Sequence, residues 1–296
     1  MALFGSKYDY FLGYALSGGG AKGFAHLGAL KVLEKCGLKP DVISGTSAGA
    51  LAGVLYADGY HPDEITELFT RREFREFIEF TIPKTGLFKS TGLHGFLKKN
   101  LRARRFEDLE MPFYVITTDW NNARTAIFSE GDDLIDSVVA SCSVPVVFNH
   151  QEINGKPYVD GGLLKNFPVS IIRRQCRYII GVNVSAMIPV DEKNNIRTMI
   201  ERTFNLMSNS NTIIDKSYCD ILIEVKGIEK YGMFNLANMN TISEIGYHRA
   251  AIKMSEKESW RIVDKCHRHY IRRAKVQKKF EYIRQRIQQS TETNIL

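Results

Sequence analysis

The first sixty residues alternate between short apolar runs and segments with apolar residues at helical spacing. An apolar run over residues 10–16 predicts a buried strand, and apolar residues recurring every three positions predict a helix over 24–36. The same pair of patterns recurs over residues 41–44 and 48–57. Because strands joined by helices pair in parallel, this opening predicts a parallel sheet with helices packed on it.

The later part of the chain continues the mixed pattern. It predicts four more strands, at residues 113–118, 125–129, 178–184 and 221–225. It also predicts four helices, at residues 62–100, at 132–141 with Asp132 as the cap, at 194–217 with a polar character, and from 240 onward. The Asn154-Gly155 pair predicts a tight hairpin, because both residue types tolerate a positive φ.

These elements predict one α/β domain over residues 8–252, with a mostly parallel central sheet and helices on both faces. A helical extension over residues 253–296 is expected to follow it. The chain has 296 residues, of which 44% are hydrophobic and 25% charged. This composition excludes a disordered chain, a collagen-like repeat and a small disulfide-stapled fold.

The compartment can be predicted from the apolar runs and the cysteines. No apolar run approaches the roughly 18 residues that a membrane span needs. Residues 1–13 are interrupted by charges and do not resemble a signal peptide. The five cysteines include no closely spaced pair, which indicates reduced thiols. We therefore expect a cytoplasmic protein.

Basic residues are concentrated near the end of the chain. The net charge is +7, and residues 253–286 alone contain twelve basic and four acidic residues. The rest is nearly neutral, which argues against a specific nucleic-acid partner. Apolar residues recur at helical spacing among these charges, at Val276, Phe280, Ile283 and Ile287. The extension is therefore a helix in peripheral contact with the inner membrane surface, a solvated helix packed on the domain, or a tail that attracts RNA.

A glycine-rich loop, Gly18-Gly19-Gly20-Ala21-Lys22-Gly23, joins the first strand to the first helix. Its spacing fits a dinucleotide-binding fingerprint, yet the acid that should end the second strand is missing, since Asp41 begins that strand instead. A glycine run at a helix N-terminus offers backbone N–H groups to an anion, either a phosphate or a transient oxyanion. Glycines needed only for a tight turn are the alternative.

A second motif, Gly45-Thr46-Ser47-Ala48-Gly49, stands between the second strand and the second helix. In this context a GxSxG sequence predicts a sharp turn that exposes the serine hydroxyl, with the flanking glycines leaving room for the strained backbone. Ser47 would then be a nucleophile at a helix N-terminus. A serine that only caps the helix is the alternative.

A serine nucleophile needs a base, and Asp160 is the strongest candidate. It follows a predicted hairpin strand, and Gly161 and Gly162 give the loop freedom to bring a carboxylate close to another backbone. Burial would raise its pKa from an ordinary value of about 3.9 and make proton abstraction feasible. An ordinary turn is the alternative, and His150 is a weaker candidate base.

Together and in this order, the three motifs resemble the patatin-like phospholipase family, lipid acyl hydrolases with a Ser–Asp dyad. The resemblance runs from about residue 14 to 184 and includes Ala140-Ser141 with Pro145. It implies a three-layer patatin-like fold. It also implies Ser47 as nucleophile, Asp160 as base and an oxyanion hole lined by Gly18, Gly19 and Gly20. The supporting motif residues would be Lys22, Gly23, Gly45, Gly49, Gly161 and Gly162.

The implied reaction is hydrolysis of fatty-acyl esters of phospholipids or lysophospholipids through an acyl-enzyme. The resemblance implies a lipid substrate and no cofactor or metal, and the sequence indicates no oligomeric state. Two other functions remain open. An acyltransferase would use the same acyl-enzyme, and a non-catalytic nucleotide-binding module would use residues 18–23.

Overall fold

A computed structural model describes residues 8–70, 91–186, 196–233 and 236–293, with side chains as far as residue 276. At its centre is an eight-stranded sheet. The strands are β1 (Tyr10–Leu16), β2 (Val42–Thr46), β3 (Phe113–Asp119), β4 (Arg124–Phe128), β5 (Gln151–Ile153), β6 (Lys156–Asp160), β7 (Cys176–Asn183) and β8 (Ile221–Glu224).

The strand order is β5-β6-β3-β2-β1-β7-β8, and β4 pairs with β3 off this path. Five neighbouring strands of the sheet are parallel, in the order β3-β2-β1-β7-β8, whereas β4, β5 and β6 pair antiparallel. The predicted hairpin joins β5 to β6, with Asn154 and Gly155 at φ values of 52° and 72°.

Ten helices surround the sheet within the described residues. They are α1 (Phe24–Lys35), α2 (Ala48–Ala57), α3 (Pro62–Thr70), α4 (Thr91–Asn100), α5 (Leu134–Ser141), α6 (Val169–Ile172), α7 (Ile196–Ser210), α8 (Ile213–Ser217), α9 (Met239–Ser255) and α10 (Lys257–Thr293). The helical prediction for residues 71–90 lies outside the described residues. Asp133, one residue later than predicted, occupies the N-cap position of α5.

Alternate residues of β1 point to opposite faces of the sheet, and both faces are buried. Leu12, Tyr14 and Leu16 join the larger core, together with residues of α1, α2, α3 and α9. Ala15 joins a smaller core with Phe167 and α6 on the other face. Burial on both faces produces the continuous apolar runs of the sequence and confirms the predicted three-layer α/β architecture.

The C-terminal extension is continuous with the domain. Helix α9 crosses residue 252, where we expected the domain to end, and α10 begins two residues after α9. Val263 and Cys266 of α10 are fully buried in the larger core. The first part of α10 therefore packs on the domain. Among the described helices, none combines the length and the apolarity needed to cross a bilayer.

Candidate active site

Ser47 lies on a strained turn between β2 and α2. Its φ of 52° and ψ of −121° are rare for a residue with a side chain. Steric contacts explain why the residues two positions before and after Ser47 are glycines. A Cβ at Gly45 would lie 2.5 Å from the Gly49 carbonyl oxygen, and a Cβ at Gly49 would lie 2.3 Å from the Leu16 carbonyl oxygen. The GxSxG spacing therefore permits a backbone crossing that larger residues would block.

The surrounding residues hold this turn by buried hydrogen bonds. The Ser47 N–H donates to Ser141 Oγ at 2.8 Å, and Ser141 Oγ donates to the Ile116 carbonyl oxygen at 2.6 Å. The Cys142 thiol donates to the Ser47 carbonyl oxygen at 3.4 Å. The Ala140-Ser141 block of the sequence thus lies directly behind the serine turn, and Ser141 links it to β3.

The sheet register brings Asp160 beside this turn. Thr46, the last residue of β2, pairs with Ile116 of β3, and the next residue of β3, Thr117, pairs with Asp160 at the end of β6. Two aligned registers thus bring together side chains 113 positions apart in the sequence. No local pattern could have fixed that alignment, because each register depends on pairing between distant segments.

The Asp160 carboxylate is fully buried. Its Oδ1 accepts a hydrogen bond from the Gly162 N–H at 2.7 Å, whereas its Oδ2 has no partner of normal hydrogen-bond geometry among the described residues. Burial raises the pKa of Asp160 to about 7, while the neighbouring Ser47 hydroxyl and the Gly162 amide act in the opposite direction. The pKa of Asp160 therefore lies near neutral pH, and the carboxylate interacts with the Ser47 hydroxyl.

The glycine loop lies against the serine turn, since a Cβ at Gly18 would lie 3.2 Å from Ser47 Cβ. The Gly18 N–H is already engaged, because it donates to the Asn166 carbonyl oxygen at 3.0 Å. For the Gly19 and Gly20 amides, no acceptor is found among the described residues. Gly20 has a φ of 57°, which favours glycine. The free donors of the loop are therefore those of Gly19 and Gly20.

The other motif residues support the backbone around the dyad. Lys22 is buried, and its N–H donates to the Gly19 carbonyl oxygen at 3.2 Å. A Cβ at Gly23 would lie 2.4 Å from Ala48 Cβ, and a Cβ at Gly161 would lie 2.3 Å from the Ile116 carbonyl oxygen. These glycines therefore allow the first helix and the Asp160 loop to approach the Ser47 turn closely.

Two asparagines, Asn166 and Asn211, hold the Asp160 loop, and the sequence analysis missed both. The Asn166 N–H donates to Asn211 Oδ1 at 2.7 Å, and Asn211 Nδ2 donates to the Gly162 carbonyl oxygen at 2.9 Å. Asn166 is itself buried. Neither residue belongs to a recognisable spacing, because Asn211 reaches the loop from the end of α7, 49 positions away.

The alternatives raised by the sequence find less support. Asp41 lies at the opposite end of β2, where Asp41 Oδ2 accepts hydrogen bonds from the Phe11 and Leu12 N–H groups. It therefore cannot bind a ribose at the glycine loop. His150 is exposed, and its Nε2 lies 3.9 Å from a carboxylate oxygen of Glu152. In the part of the chain that the structure describes, no three metal-ligating side chains lie together.

Comparisons with known proteins agree with this arrangement of motifs. The family model described as patatin-like phospholipase matches residues 14–172. Patatin-like phospholipase domain-containing protein 7 of Mus musculus is 31% identical over 191 residues, which cover 60% of this chain and 14% of that protein. Lysophospholipase NTE1 of Kluyveromyces lactis is 30% identical over 186 residues, which cover 60% of this chain and 13% of that protein.

The chain therefore aligns with only about a seventh of the length of these curated relatives. A likeness in solved structures extends further along the chain. VipD from Legionella pneumophila superposes with a TM-score of 0.52 at 15% identity, covering 83% of this chain and 67% of that one. At this identity the likeness concerns the fold.

Proposed function

The chain belongs to the patatin-like phospholipase family, and on that premise we propose that it hydrolyses fatty-acyl esters of phospholipids or lysophospholipids with a Ser47–Asp160 dyad. The observation that carries this proposal is the buried Asp160 carboxylate beside the strained Ser47 turn. Its pKa of about 7 suits a general base at neutral pH, and its Oδ2 has no other partner among the described residues.

In the first half-reaction, Ser47 Oγ attacks the acyl carbonyl carbon while Asp160 Oδ2 takes the hydroxyl proton. The carbonyl oxygen becomes an oxyanion, which the free N–H groups of Gly19 and Gly20 stabilise. Removing one such donor typically lowers the rate by about 10²–10³. Asp160 then returns the proton to the departing alcohol, and the acyl group stays on Ser47.

In the second half-reaction, water attacks the acyl carbon of this ester. Asp160 accepts the proton of the water, the bond between the acyl carbon and Ser47 Oγ breaks, and Asp160 returns the proton to Ser47 Oγ. The fatty acid leaves and the dyad is restored. The same carboxylate serves both halves, so the cycle requires no histidine.

A fluorophosphonate probe tests the nucleophile directly, because it phosphonylates an activated serine. We expect labelling of the wild-type chain on the peptide that contains Ser47. The Ser47→Ala variant should lose both this label and hydrolysis of a p-nitrophenyl ester, by at least about a thousandfold. Ser255→Ala, which changes an exposed serine at the end of α9, serves as the matched control and should keep both.

Labelling that persists in Ser47→Ala would contradict the assignment of the nucleophile. An unlabelled wild-type chain with affinity for a nicotinamide dinucleotide would favour the nucleotide-binding alternative instead. Adding a lysophospholipid as acceptor and identifying the products would separate hydrolysis from acyl transfer, since a transferase would form a diacyl lipid from the same acyl-enzyme.

A further inference from the structure

The exposed side chains that the structure describes on α7 and α8 are uncharged and largely apolar. Residues 194–217 were expected to form a polar helix, yet no described exposed side chain of α7 or α8 is charged. We call these residues the α7–α8 stripe, and its nine members are Ile196, Met199, Thr203, Leu206, Met207, Ser210, Ile213, Ile214 and Ser217. Exposed helix faces of soluble proteins are normally charged, so this surface differs from a solvated one.

The charged residues of α8 are turned toward the domain. Asp215 is fully buried, where its carboxylate accepts hydrogen bonds from the Ser170 N–H at 2.7 Å and from Lys165 Nζ at 2.8 Å. Lys216 forms an ion pair with Glu224 at the end of β8. On α8 the two charged side chains are thus paired with groups of the domain, whereas Ile213 and Ile214 are exposed.

The inner side of α7 and the residue that follows it contact the loop after Asp160. A Cβ at Gly162 would lie 3.2 Å from the ring of Phe204, and Asn211 donates to the Gly162 carbonyl oxygen. Two more exposed apolar residues belong to the segments around Asp160. Leu164 follows it in the same loop, and Val146 belongs to the segment whose Ser143 carbonyl oxygen accepts the Asp160 N–H. Apolar side chains are therefore exposed both on the α7–α8 stripe and on the two segments that flank Asp160.

We propose that the α7–α8 stripe is the surface with which the protein docks on a lipid bilayer. The proposal rests on the proposed function, because a hydrolase of bilayer lipids must meet the bilayer at the opening of its active site. An amphipathic helix binds in the bilayer interface by burying its apolar face at the boundary of headgroups and acyl chains. An uncharged face offers nothing to a polyanion, whereas it matches the acyl region of any lipid surface.

Docking through the stripe and docking through the basic extension should depend differently on lipid charge and on salt. A polybasic helix needs anionic lipid, since its attraction is electrostatic. The stripe should bind vesicles of pure phosphatidylcholine, and its binding should persist at high salt. The proposal would be overturned if the protein bound only anionic vesicles and if about 0.5 M salt, which screens exposed charges, abolished this binding. Such a result would favour docking through the basic extension.

The decisive variant is the pair Met199→Glu and Leu206→Glu, which adds charge to side chains that are 59% and 52% exposed. We expect its partition onto phosphatidylcholine vesicles in a flotation assay to fall at least tenfold. Hydrolysis of a soluble short-chain p-nitrophenyl ester should stay within twofold of wild type. The matched control is the double variant Ile271→Glu with Val276→Glu on α10, where the two native side chains are 56% and 54% exposed. This control should leave vesicle partition within twofold of wild type.

Two further results would overturn the docking surface. One is unchanged vesicle partition in the stripe variant, and the other is a wild-type dimer that the variant converts to a monomer, since a second copy would then cover the stripe. Failure of the proposed function gives a different result. In that case the wild-type chain binds vesicles through the stripe but neither hydrolyses the ester nor takes the fluorophosphonate label.

Discussion

The two ends of the parallel strands differ in how completely their polar groups are paired. At the carboxyl ends, Ser47 has a strained backbone and Asp160 Oδ2 lacks a partner among the described residues. At the amino ends, Asp41 accepts hydrogen bonds from the Phe11 and Leu12 N–H groups and from Arg273. The carboxyl ends thus combine strain with an unpaired carboxylate oxygen, as we expect of a reactive end. Both oxygens of the carboxylate at the amino ends are hydrogen-bonded, as we expect of a stable end.

Helix α10 belongs to the stable end. The Tyr270 hydroxyl donates to the Lys39 carbonyl oxygen at 2.7 Å, and the ring of His269 stacks on that of Phe11 with centroids 3.8 Å apart. His267 Nε2 lies 2.8 Å from the Cys36 carbonyl oxygen. The described first part of the basic extension therefore packs at the amino ends of β1 and β2, opposite to the candidate dyad. Membrane contact through this extension stays a prediction.

A cavity of about 720 Å³ also lies at the amino ends, lined by residues that include Tyr10, Asp41, Arg177 and Arg273. No residue of the candidate dyad or of the glycine loop lines it. Its size alone would have made it a candidate binding site. The candidate dyad lies elsewhere, where the registers of β2, β3 and β6 bring the Asp160 carboxylate to Ser47. Our proposal therefore follows the position of the side chains at the strand ends and not the volume of the cavity.

The sharpest way to test the reactive end is its pH dependence. The raised pKa of Asp160 means that the base is protonated, and inactive, below about pH 7. We expect kcat/KM for a p-nitrophenyl ester to fall about tenfold for each pH unit below that value, or about a hundredfold at pH 5. A profile that stays flat down to pH 5 would mean that a group with an ordinary carboxyl pKa is the base.

Ser141→Ala tests whether the serine turn needs its buried support. The change leaves the Ser47 N–H and the Ile116 carbonyl oxygen without their partner, which should cost about 1–3 kcal/mol of unfolding free energy. We expect ester hydrolysis to fall about tenfold as the turn loosens, with kcat affected more than KM. Ser137→Ala, one turn earlier on α5, is the matched control, since its hydroxyl bonds only the Leu134 carbonyl oxygen.

Chemical denaturation would show the Ser141 effect and its control side by side. If Ser137→Ala and Ser141→Ala lose the same stability and the same activity, the turn does not depend on Ser141. Loss of stability without loss of activity would assign Ser141 to the fold alone.

Two isosteric substitutions should change stability in opposite directions at the two ends. Because the folded-state pKa of Asp160 is raised to about 7, folding disfavours its charged form, and stability falls as the pH rises from about 4 to 7. Asp160→Asn removes this penalty, so we expect a gain of about 1–4 kcal/mol at pH 8 and little change at pH 4. Asp41→Asn should instead lose about 1–3 kcal/mol at pH 8, because the amide NH2 replaces one acceptor oxygen and leaves either Arg273 or the two backbone N–H groups without an acceptor.

Thermal unfolding of both variants at the two pH values measures this difference. A loss of stability in Asp160→Asn at pH 8 would mean that the native carboxylate is stabilised by its surroundings, and the assignment of a strained reactive end would be wrong. A gain in Asp41→Asn would remove the contrast between the two ends.

Local sequence patterns determined much of the fold and the identity of the candidate residues. The alternation of strands and helices, the hairpin at Asn154-Gly155 and the turn around Ser47 follow from short-range spacing, because backbone sterics and burial act within a few residues. The three motifs could be recognised because each is a contiguous stretch with its own glycine spacing.

Tertiary structure alone decided how these pieces act on one another. The register between β3 and β6 placed Asp160 next to the Ser47 turn. The Asn166 carbonyl oxygen accepts the Gly18 N–H, which is therefore not free to bind an oxyanion. Ser141 accepts the Ser47 N–H and so supports the serine turn. The tertiary structure also paired Asp215 and Lys216 with groups of the domain and left apolar side chains of α7 and α8 exposed. Pairing and exposure depend on which distant segments are neighbours, and a sequence pattern specifies an element but not the surface against which it packs.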